Sequence, residues 1–104
     1  MKTFIRGERT LEIGYPWLTF GAIMALEHIL KDLPTAKVLE MGSGGSTVFF
    51  AKRCGELLSL EHDRNWAFMV SQKLLVGSPV IIACHPPEEL MEIIDNQTDG
   101  YFDI

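Results

Sequence analysis

The sequence predicts an α/β fold built on a doubly wound parallel sheet with helices on both faces. Two observations carry that expectation. Short apolar runs at Lys37–Met41, Leu57–Glu61 and Pro79–Cys84 alternate with stretches of helical periodicity. The runs are mostly apolar, as strands of a covered parallel sheet are, and glycine or proline stands at most of their junctions with the helices.

The elements follow in order. Leu18, Ile23, Leu26, Ile29, Leu30 and Leu33 have helical spacing, after Pro16, which permits a start, and before Pro34, which enforces a stop. Lys37–Met41 is the first strand and ends in glycines. Ser46 or Thr47 is placed to cap a helix through Cys54, with Gly55 to end it. Leu57–Glu61 is the second strand. Asp63 suits an N-cap, and Trp66, Val70 and Leu74 form an i, i+4 stripe on the helix behind it. Pro79–Cys84 is the third strand. Pro86 and Pro87 open a helix with Glu88 and Glu89 in its first turn, where the helix dipole favours acids, and it runs to Ile94. Asn96–Gly100 reads as a turn, and Tyr101–Ile104 as the start of a fourth strand. No repeat or linker divides residues 1–104, so they read as one domain.

Composition excludes several functions. Of 104 residues, 47% are hydrophobic and 22% charged, which is globular rather than disordered. Through Cys84 the chain has nine basic and eight acidic residues, a formal +1; from His85 onward six acids and no base give −6, for −5 in all. No basic surface is available to displace counterions from phosphates, so nucleic acid is not expected as a partner, and a small molecule is. The start MKTFIRGERT lacks the apolar stretch of a signal peptide, and the longest mostly apolar run, Trp17–Leu26, is too short to span a membrane. Cys54 and Cys84 form no CxxC pair, and with the three histidines they show no metal-ligand spacing. A cytoplasmic protein with reduced thiols and no metal is the expectation.

The informative segment is Val38–Ala51, VLEMGSGGSTVFFA: strand, glycine turn, helix. In an open parallel sheet, ligands bind beyond the carboxyl ends of the strands. Gly42 and Gly44 let the backbone turn tightly and approach a ligand, and a helix beginning near Ser46 presents free N–H groups. Glu61, nineteen residues after Gly42, ends the second strand, where a carboxylate can accept hydrogen bonds from two vicinal ribose hydroxyls. Together these point to an adenosine-containing cofactor. The dinucleotide fingerprint GxGxxG needs a third glycine at position 47, where Thr47 stands, and no Gly-Lys-Ser/Thr of a P-loop follows the glycines.

VLEMGSGGST followed by LLSLEHDRNW resembles motif I and the next, acidic motif of the class I, Rossmann-like S-adenosylmethionine-dependent methyltransferases. DGYFDI resembles the opening of their fourth strand, so the resemblance runs from about Tyr15 to Ile104. It implies that Glu40 and the loop of Gly42, Ser43, Gly44, Gly45, Ser46 and Thr47 hold the methionine part of S-adenosylmethionine. It further implies that Glu61 binds the ribose and that His62 sits beside the adenine. Tyr15 and Trp17 are candidates for a lid on the substrate side, and for core packing equally. Cys84-His85 stands where the family commonly has a carboxylate or small polar residue near the adenine. The family's seven-stranded sheet implies that this chain is the cofactor-binding half of a truncated domain with an extra N-terminal helix. No catalytic residue is assigned, and the acceptor is unknown. A half-sheet exposes the edge of its fourth strand, so self-association through that edge is expected. An NAD-binding oxidoreductase fragment, or a Rossmann-like module that binds without turnover, would use the same fold.

Overall fold

The computed structural model describes residues 11–16, 18–97 and 100–104. Residues 11–13 are helical. They are followed by α1 (Phe20–Asp32), β1 (Lys37–Met41), α2 (Gly45–Ala51), β2 (Glu56–Glu61), α3 (Arg64–Ser71), β3 (Val80–Cys84) and α4 (Pro87–Asp95). The strands form one parallel sheet in the order β1-β2-β3, with Lys37 opposite Glu56 and Leu57 opposite Val80.

Local chemistry sets most boundaries. The first helix begins at Phe20, later than the proline rule alone implies, because the Thr19 hydroxyl accepts the Ala22 N–H at 3.1 Å. The Asp63 carboxylate caps α3 by accepting the Trp66 N–H at 3.0 Å. Pro87 opens α4, with Glu88 and Glu89 in its first turn. The second helix is shorter than its sequence suggests and ends at Ala51, and α3 ends at Ser71, before Leu74. Gly55 has a steric reason to be glycine. A Cβ there would come within 2.7–2.8 Å of the Thr35 backbone, and the Gly55 N–H donates to the Ala36 carbonyl at 2.9 Å.

Paired residues of parallel strands point to one face, and neighbours along a strand to opposite faces. Val38 and Glu40, Leu57 and Ser59, Val80 and Ile82 therefore share a face. That face meets Leu30, Ile23 and Leu26 of α1 and Phe49 and Phe50 of α2, and, beside them, a second cluster in which Val48 and Val70 pack with Leu11, Leu74 and Ile82. The reason α2 and α3 lie together is topological. Crossovers of one hand that step the same way across a sheet leave their helices on the same side. On the other face Met41 and Ile81 are exposed, although Leu60 is buried.

Residues 101–104 are not a strand, yet they lie along the free edge of β1 and run with it. The Asp103 N–H donates to the Lys37 carbonyl at 2.7 Å, and the Leu39 N–H to the Ile104 carbonyl at 2.9 Å. The Lys37 N–H donates to Asp103 Oδ2 at 2.9 Å, and the Tyr101 hydroxyl to Glu56 Oε1 at 2.9 Å. Among the described residues no helix is long and apolar enough to cross a membrane.

Candidate functional site

The polar residues that the sequence singles out meet at the carboxyl ends of β1 and β2. Glu40 is buried at the end of β1, and in-register pairing sets Ser59 of β2 beside it. Glu40 Oε1 accepts the hydroxyls of Ser59, at 2.7 Å, and of Thr47, while Oε2 accepts that of Ser46. Burial pushes the Glu40 carboxyl above its usual range. The three hydroxyls oppose that shift, and the neighbouring Glu61 charge adds to it. Thr47 also accepts the Gly44 N–H at 2.9 Å, so one side chain caps the loop and holds the carboxylate.

The loop between β1 and α2 is fixed from several sides. Gly42 has φ +82°, a left-handed conformation strained for any other residue, and its N–H donates to the Leu60 carbonyl at 2.7 Å. Gly44 has no such constraint: its φ is 171°, and a Cβ would meet Trp66 at an ordinary 3.9 Å. Of the two glycines given one role by the sequence, only Gly42 has a backbone that demands it. The Ser43 N–H donates to Glu61 Oε1 at 3.0 Å, its hydroxyl lies 2.5 Å from the Ser59 hydroxyl, and its carbonyl accepts the Trp66 indole N–H at 2.6 Å. No buried side-chain polar atom among the described residues lacks a partner.

Glu61 is only 5% exposed, and its side chain turns back onto the two loops. Oε2 accepts the N–H groups of His62 at 2.9 Å and Asp63 at 2.8 Å, while Oε1 accepts from Ser43 alone. A carboxylate has about four lone-pair sites. Three are engaged, which leaves Oε1 able to accept one further hydroxyl where the sequence suggested two. The exposed His62 ring stands beside it, with Nδ1 3.5 Å from Glu61 Oε2.

The remaining candidates lie elsewhere. Tyr15 packs on α2, its ring centroid 5.7 Å from that of Phe49, with the Arg53 guanidinium 5.6 Å away. Arg53 also pairs with Glu27 of α1 at 3.0 Å, so this group ties α1 to α2. Trp17 is outside the described residues. Cys84 is half-buried at the end of β3, opposite Glu61, and Cys54 is buried in the core, where desolvation raises its thiol pKa. No group of three or more metal-ligating side chains occurs among the described residues. A surface cavity of about 310 Å³ is lined by Glu27, Leu30, Lys31, Pro34 and Arg53, away from the glycine loop.

Two members of the site were not singled out as such from the sequence. Ser59 is the one polar residue inside an apolar strand, which is a legible signal, but its partner appears only once the strand register is known. Trp66 fits its hydrophobic stripe so well that its polar atom is overlooked. No protein-family model, curated protein or solved structure matches the chain.

Proposed function

We propose that this chain is the cofactor-binding part of a Rossmann-like S-adenosylmethionine-dependent methyltransferase acting on a small-molecule acceptor. One observation carries the reading. The glycine loop and the ends of β1 and β2 bring two carboxylates, Glu40 and Glu61, together with hydroxyls and backbone N–H groups, and residues 40–47 and 61 include no Lys or Arg. A pyrophosphate would bring negative charge toward two buried acids, which costs energy in a low dielectric. A sulfonium-bearing, phosphate-free cofactor reverses that sign.

The fold is in keeping with this. Beside β1 the chain order reverses, since β2 lies on one side and residues 103–104 are bonded on the other. In doubly wound sheets such a reversal opens the ligand crevice at the strand ends. The dinucleotide alternative fares worse. At the position of its third glycine, Thr47 is fully buried and its hydroxyl is committed to Gly44 and Glu40.

The cofactor would supply an activated methyl group on its own leaving group, so the protein's share is alignment and exclusion of water. Glu61 Oε1 would take one ribose hydroxyl, His62 would flank the base, and the Gly42–Thr47 loop would meet the amino-acid end. Calorimetric titration with S-adenosylhomocysteine, run beside NAD, tests the proposal. Saturable heat with the first and none with the second is expected. Binding of NAD instead, or of neither compound, overturns it.

A further inference from the structure

We infer that Trp66 is a positioning residue that clamps the Ser43–Gly44 peptide group and so fixes which atoms of the glycine loop face a ligand. In its ligand arm this rests on the function proposed above; the clamp itself rests on geometry. Four hydrogen bonds form a closed circuit. The Ser43 N–H donates to Glu61 at 3.0 Å, and Glu61 accepts the Asp63 N–H at 2.8 Å. Asp63 accepts the Trp66 N–H at 3.0 Å, and the Trp66 indole N–H returns to the Ser43 carbonyl at 2.6 Å. The loop after β1 and the loop after β2 are thereby one mechanical unit.

Packing alone does not call for an indole here. Val70 is fully buried in this cluster and Leu74 packs against it, and a phenylalanine would continue the same stripe. What phenylalanine lacks is a donor, and tryptophan has one, at the far edge of its ring. The Ser43–Gly44 peptide plane is held at both ends, its carbonyl by the Trp66 indole and its N–H by the Thr47 hydroxyl at 2.9 Å, while the Ser43 N–H ties the preceding plane to Glu61, so neither plane can rotate without breaking a bond. A loop held in one conformation binds without first being ordered, and loss of the clamp lowers affinity by the fraction of loops left competent.

The test compares the chain with its Trp66→Phe variant by residue-resolved amide exchange and by S-adenosylhomocysteine titration. Losing one hydrogen bond of this kind is worth about tenfold. Exchange at Ser43 and Gly44 should quicken about tenfold while the amides of β2 keep their rates, and binding should weaken by a similar factor. In the unsubstituted chain the Trp66 indole proton should itself exchange slowly. A uniform rise across β2 makes Trp66 merely structural and overturns the inference. So do unchanged loop rates, or an indole proton that exchanges freely. If the unsubstituted chain binds no S-adenosylhomocysteine, the functional proposal falls, and the exchange rates still decide the clamp.

Discussion

The carboxyl ends of β1 and β2 hold five buried polar side chains, Glu40, Ser43, Thr47, Ser59 and Glu61, all bonded to one another or to the loops around them. The helix that follows β3 differs. Helix α4 has good local signals, a proline at its start and two acids in its first turn, yet it buries no side chain. In α2, by contrast, five of seven residues are buried, and the bond at its start, from the Gly44 N–H to the Thr47 hydroxyl, is itself part of the site. The contrast separates two reasons for a helix to exist. Short-range signals mark where α4 begins, and Leu90, Ile93 and Ile94 are only half-buried beneath it, whereas α2 is held by what it covers, and the site's geometry depends on the second kind of support.

The largest effect should therefore come from α2. Phe49 is fully buried between α1 and the sheet, and Phe49→Ala should cost about 3–5 kcal/mol in urea unfolding, a large share of a small domain's stability. A loss below 1 kcal/mol would mean that α2 is not anchored as described. Next comes the buried carboxylate. Because the Glu40 pKa is higher in the folded chain than the ordinary 4.5, the folded state holds its proton more tightly. Stability is then lost as pH rises from about 4.5 through the folded value, and the penalty is complete above it. Glu40→Gln cannot titrate, so its stability relative to the parent should climb over that window and level off. A difference that stays flat with pH would contradict the burial-driven shift. The smallest effect belongs to α4, where Met91 is 54% exposed and Met91→Ala should change stability by less than about 0.5 kcal/mol. A loss as large as that at Phe49 would erase the distinction between the two regions.

Much of this architecture was legible in the residues. The three strands, the Asp63 cap and the Pro87 start follow from signals a few residues long, and these do not depend on what the chain packs against. The site was legible as a set of positions but less so as a set of bonds. Glu61 stands at the strand end where the spacing puts it, yet its carboxylate faces the loop N–H groups, a choice made by partners from two separate loops. Thr47, conspicuous as an absent glycine, proves to be both a cap and a ligand of Glu40. Ser59 and Trp66 needed the strand register and the helix rotation before their polar atoms had anywhere to go. Such pairings join residues 16–23 positions apart, beyond the range of any local rule.

The bonds between Lys37 and Asp103 have a consequence in time. Neighbouring strands close loops of 19 to 23 residues, while this clasp joins positions 66 apart. Closing the longer loop costs about 1 kcal/mol more entropy, so the clasp is expected to form after the sheet on folding and to release before it on unfolding, an order that amide exchange at Leu39 and Asp103 would read. Between those moments β1 is an edge strand, with a row of backbone groups open to whatever strand meets it first.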